Sequence, residues 1–127
     1  MLDAFASGFL VFAYLATALF QIAIVFGAPL MEYSYGGHNK GSPSGRYRIL
    51  SAFAGLGIIG IAGHYMAQLG IFTPLLGAEL NAVANWGFAG FALLVAVITS
   101  AFGSKKERGF WSPIAIAMFL AALVVAF

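Results

Sequence analysis

The chain has 127 residues, of which 62% are hydrophobic and only 8% charged, a balance that excludes an ordinary water-soluble domain. It contains no cysteine, which excludes disulfides, thiolate metal centres and cysteine nucleophiles. The formal charge of +2 comes from six basic residues set between long apolar runs, a pattern that predicts orientation in a membrane and no nucleic-acid partner.

The first apolar run begins at Ala4, and no Lys or Arg precedes Lys40. A cleaved signal peptide needs a basic start and a shorter apolar core, so this run is expected to stay as a helix. Spanning a bilayer takes about 20 apolar residues. Residues 4–26 make the first predicted span, ended by Gly27-Ala28-Pro29, where Gly frees the backbone and Pro cannot continue a helix. A cytoplasmic loop is predicted over 27–48 and a second span over 49–69, meeting Gly70. An outer loop follows over 70–80, in which Thr73-Pro74 is the expected start of a short interfacial helix. The third span is predicted over 81–102, a cytoplasmic loop over 103–110, and a barely sufficient fourth span over 111–127. Short connections force antiparallel neighbours. The expected fold is therefore all-α: one integral membrane domain, an antiparallel four-transmembrane-helix bundle running up-down-up-down.

Orientation follows from charge. Lys40, Arg46 and Arg48 lie in or beside the first loop, and Lys105, Lys106 and Arg108 in the third. The positive-inside rule places both loops in the cytoplasm and both termini outside, in a multi-pass cell membrane. Trp111, Tyr33, Tyr35 and Tyr47 then fall near the cytoplasmic boundary and Trp86 near the outer one, as an aromatic belt requires.

No Asp, Glu, Lys or Arg falls in the middle of a predicted span, which argues against ion-coupled transport through a buried carboxylate. His64 is the one readily titratable side chain at depth. Gly57, Gly60, His64 and Gln68 share a helical face, and small residues there are expected to admit another helix or a flat cofactor. Three roles fit His64: an axial ligand of haem or chlorin, a proton relay, or a hydrogen-bond partner between helices. The last is the expected one, because polar side chains ordinarily glue membrane helices. Tyr14, Thr17 and Gln21, with Ser7, line one face of the first span, and Asn81, Asn85, Ala92 and Thr99 one face of the third. These stripes are expected to converge on an interior most polar toward its outer half, either packed and hydrogen-bonded or lining a cavity for a small solute.

The first loop is rich in Gly and in polar contacts. Glu32, His38, Lys40, Arg46 and Arg48, with Lys105, Glu107 and Arg108 on the same side, predict a cytoplasmic cluster of mixed charge. Its expected roles are to set topology and pair internally, or to hold an anionic lipid head group or dock a partner. Glu32 and Arg46 are expected to pair. In the fourth span, Ala117 and Ala121 form a small-xxx-small pair suited to helix packing.

Gly27-Ala28-Pro29, Gly36-Gly37, Gly41 with Pro43, Arg46 or Arg48, then Ser104, Glu107-Arg108 and Trp111-x-Pro113 form a series along the chain. It resembles the pattern of a group of small four-helix bacterial membrane proteins. This chain departs from that pattern at Ser42, where Leu would precede the Pro, and in lacking an Arg between serines before Glu107-Arg108. The resemblance implies topology and no particular activity. Small multidrug transporters carry a Glu in their first helix where this chain has Gln21; fluoride channels of dual topology and glutathione-using membrane enzymes carry motifs that are missing here.

The expected function is that of a non-enzymatic polytopic subunit, bathed in lipid and packing against copies of itself or a larger membrane complex. The alternative is a homo-oligomeric channel or carrier for a small neutral or weakly charged solute, using Gln21, His64, Gln68 and Asn85. A haem- or chlorin-binding subunit through His64 comes third.

Overall fold

The computed structural model describes residues 2–30, 43–71, 73, 76–103 and 105–127. It is all-helical there, with α1 (Leu2–Val25), α2 (Gly45–Gln68), α3 (Ala78–Phe102) and α4 (Lys105–Ala126), each long and apolar enough to cross a membrane. The first loop cluster residues Glu32, His38 and Lys40 lie outside the described residues, and with them the predicted Glu32–Arg46 pair. The expected interfacial helix falls partly outside them too; the described residues of that connection, 71, 73, 76 and 77, are not helical.

Two helix ends follow directly from glycine. Gly27 and Gly70 adopt φ of 92° and 79°, the left-handed conformation that only glycine reaches without strain. After α1, the Ala28 amide donates to Ala23 O (3.0 Å) and the Gly27 amide to Ile24 O (2.9 Å). After α2, the Ile71 amide donates to Met66 O (3.2 Å) and the Gly70 amide to Ala67 O (3.0 Å). Both are Schellman caps, which satisfy carbonyls the helix end would otherwise leave bare.

Arginines from the next helix close two ends. Neither α1 nor α3 has a basic residue in its last turn. Arg48, in α2, donates through Nε to Val25 O (2.7 Å), and Arg108, in α4, donates through Nη2 to Gly103 O (3.0 Å). A cation at a helix C-terminus also meets the negative end of the macrodipole. Arg48 and Arg108 are thus helix caps, while Arg46 is exposed and lies 5.8 Å from the Tyr47 ring.

α4 starts earlier than the expected span. Lys105 to Phe110 form its first turns instead of a loop, and the helix runs through Pro113 without a break. Glu, Lys and Arg are good helix formers, so a charged run is no barrier to helix, and the helix end can project beyond the apolar segment.

The interior is built from small residues. Ala6, Ala13 and Ala18 of α1, Ala62 of α2, Ala89 and Ala96 of α3 and Ala122 of α4 are buried, around Leu10, Tyr14 and Tyr65. Large apolar side chains face outward: Phe5, Phe12, Leu19, Phe53 and Val83 are all more than 60% exposed. Water would not tolerate so continuous an apolar surface, whereas lipid is compatible with it.

Paired residues show how the helices lie. Tyr14 stacks on Tyr65 (6.1 Å) while Val25 meets Arg48; Ser100 bonds Ser112 (2.5 Å) while Trp86 packs edge-on against Phe127 (4.9 Å). α1 packs closely on α2 and on α4, and α3 on α4, whereas α2 and α3 stand further apart.

Candidate functional site

The looser α2–α3 side is closed at one end by four polar side chains. His64 Nε2 lies 2.7 Å from Asn85 Oδ1. An amide oxygen cannot donate, so Nε2 carries the proton. One turn further, Gln68 Nε2 donates to Asn81 Oδ1 (2.7 Å) and Asn81 Nδ2 returns a bond to Gln68 Oε1 (3.0 Å), a reciprocal amide pair. Gln68 Nε2 also reaches His64 O (3.3 Å). Phe88 and Tyr65 rings flank the imidazole edge-on, at 4.9 and 5.2 Å.

This geometry makes His64 an interhelical hydrogen-bond partner. A haem or chlorin metal at Nε2 would have to displace the bond to Asn85. No group of three or more His, Asp or Glu among the described residues is placed to hold a metal ion. His64, Gln68, Asn81 and Asn85 act as a clamp whose hydrogen-bonding capacity is spent largely on one another.

The close approach expected over Gly57 and Gly60 is not made among the described residues. Both are exposed, and a Cβ on either would meet nothing within 4 Å. The clamp's long side chains hold α2 and α3 apart, so the glycines face an open seam. The glycine that does serve a neighbour is Gly55, buried, where a Cβ would lie 3.6 Å from Gln21 Cβ.

At the opposite end of the seam, near the C-terminal ends of α1 and α3 and the start of α4, the four helices line a half-open cavity of about 230 Å³. Tyr14, Thr17 and Gln21 of α1 line it, as their helical spacing predicts. Thr17 Oγ1 donates to Ala13 O (2.8 Å), which leaves its oxygen to accept. Gln21 Oε1 is buried and has no hydrogen-bond partner among the described residues. Thr99 and Ala92 of α3 add to the wall, as do Glu107, Trp111, Ala115 and Met118 of α4.

The expected polar stripes therefore divide instead of converging. Asn81, Asn85, His64 and Gln68 form the closed clamp; Tyr14, Thr17 and Gln21 face an open space. The inward position of Glu107 is the main feature that sequence reading missed, since it was grouped with Lys105 and Arg108 in a surface cluster. Its carboxyl group tucks against Gly103, where a Cβ would lie 3.5 Å from Glu107 Cδ. Lys105 is exposed and Arg108 turns to Gly103 O. The signal was present as Glu107, Trp111, Ala115 and Met118, spaced four, four and three, one face of a helix that begins at Lys105. Phe20 and Phe91 complete the wall with aromatic surface.

A second, shallower groove of about 620 Å³ runs between α1 and α4 and is lined by apolar side chains such as Phe12, Leu19, Pro113 and Ala117. It offers shape without polar recognition. Comparison with known proteins yields no match to a family model, a curated protein or a solved structure.

Proposed function

We propose that the chain is a multi-pass cell-membrane protein, up-down-up-down with both termini outside, that binds a small solute in its cytoplasmic-end cavity without catalysing a reaction. The single observation that carries the binding reading is a cavity of about 230 Å³ lined by Tyr14, Thr17 and Gln21, the last with a buried Oε1 that has no hydrogen-bond partner among the described residues. A buried polar group with no partner costs about 1–3 kcal/mol, which a turn of the Gln21 amide toward a bound donor would recover. The topology is supported by the placement of all six basic residues between the end of α1 and the first turn of α2 or in the first turn of α4, and by residue pairings that run in opposite directions along successive helices. A membrane setting also agrees with the resemblance to small four-helix bacterial membrane proteins.

Binding is readable through Trp111, which lines the cavity, in a Trp86→Phe background that leaves it the sole tryptophan. Benzyl alcohol should change Trp111 fluorescence saturably. Ala115→Phe, which fills the cavity, should abolish that change while helicity is retained. Equal binding by the filled variant would refute the proposal.

A second reading is favoured by the exposed glycines: Gly57 and Gly60 offer bare backbone to a second copy or a larger membrane complex. Under that reading the chain is an accessory subunit, and mild solubilisation recovers it in a stoichiometric assembly.

A further inference from the structure

Small side chains make the floor of the α1–α4 groove and large ones its rims. Ala13, Ala16 and Ala117 carry no atom beyond Cβ, while Phe12, Leu19 and Phe110 stand 73%, 67% and 50% exposed on either side. We infer that this groove seats one acyl chain of an anionic phospholipid, whose phosphate is held at Lys106. The inference takes the membrane setting as given and is independent of solute binding in the cavity.

Depth argues for a lipid chain and against a helix of another protein. From Phe9 to Phe20 the groove follows α1 for about 16 Å at 1.5 Å per residue. That is one leaflet's share of a hydrocarbon core about 30 Å thick, whereas a transmembrane helix would run the full thickness. No Ser, Thr, Asn or Gln lines the groove to bond a partner helix. Charge supplies the sign of the head group. The groove ends where Phe20 meets Trp111 edge-on at 5.0 Å, and Lys106 is exposed just beyond, one turn before Phe110 and two before Pro113 on the same face of α4. Its long stem can follow the apolar wall while the ammonium reaches the level of the phosphate. Lys105 and Arg108 share that first turn, and no carboxylate lines the groove. A lipid tail gains little by leaving other tails, so selection rests on the fit to the floor acting together with the head group. Under the proposed topology this is the cytoplasmic leaflet, where anionic lipids concentrate.

Trp111 lines the groove, so a brominated lipid seated there quenches its fluorescence. The probes are dibrominated phosphatidylglycerol and dibrominated phosphatidylcholine, each titrated into vesicles of unlabelled phosphatidylcholine that hold the Trp86→Phe protein. Phosphatidylglycerol should show about fivefold higher relative affinity. Lys106→Gln should bring the two lipids to equal affinity while both still quench. Ala16→Phe, whose ring fills the groove from an exposed position, should also abolish the preference although Lys106 is untouched. Helicity by circular dichroism reports that both variants are folded. Equal affinities in the parent protein overturn the inference, and so does a preference that survives either substitution. Survival in Ala16→Phe would mean attraction to a basic surface with no seated chain.

Discussion

Replacing Asn81 with leucine should cost about 2 kcal/mol of stability, and replacing Gln68 with leucine about the same. Each single change strands an amide that the pair otherwise satisfies twice over, through bonds of 2.7 and 3.0 Å. Removing both should cost little more than removing one, because the second amide no longer has a bond to lose. The expected coupling is about 1–2 kcal/mol, read from detergent unfolding of the two singles and the double. Strictly additive costs would mean that the pair does not hold α2 to α3. The same logic applies one turn away, where His64 donates to Asn85. The clamp matters because α2 and α3 stand apart and have few other means of fixing their separation.

Gly103→Ala should be clearly destabilising. A Cβ there would lie 2.5 Å from Thr99 O, a backbone atom, so the tight turn between α3 and α4 must shift. Overpacking of this kind costs about 1–3 kcal/mol. The displacement also presses on Glu107, whose Cδ lies 3.5 Å from the same point, so the cavity wall should change with the turn. Gly109→Ala is the control: it lies within α4 with nothing within 4 Å, and helix propensity alone should make it neutral or stabilising by up to about 1 kcal/mol. Thermal unfolding in a mild detergent measures both. A Gly103→Ala protein as stable as the parent would show that the turn is looser than its geometry implies.

Much of the scaffold is written locally in the chain. Four apolar runs of bilayer length became four helices, and Gly27 and Gly70 ended two of them by a conformation only glycine takes easily. Helical spacing also placed Tyr14, Thr17 and Gln21 on one face, and His64 with Gln68 on another. Spacing names a face but not the helix opposite it. That is why the stripes were expected to converge, when Gln68 in fact meets Asn81 and Gln21 Oε1 meets no partner among the described residues. The start of α4 was obscured for a different reason. Hydropathy marks where lipid contact can begin, whereas the backbone helix continues through Lys105 to Phe110 because those residues carry no conformational objection to it. With that turn counted as loop, Glu107 and Trp111 could not be seen to share a face. The glycines of α2 show the converse limit: small size permits close approach but does not supply a neighbour, and Gly57 and Gly60 have none within 4 Å of an added Cβ among the described residues.

The division of polar residues into a closed clamp and an open cavity is tested most directly by thiol labelling, since the chain has no cysteine of its own. Gln21→Cys, on the cavity wall, should react with a small methanethiosulfonate, and excess benzyl alcohol should slow that reaction. Ala18→Cys, on the same helix but only 2% exposed and away from the cavity wall, should stay unreactive. A Gln21→Cys protein as inert as Ala18→Cys would contradict the account.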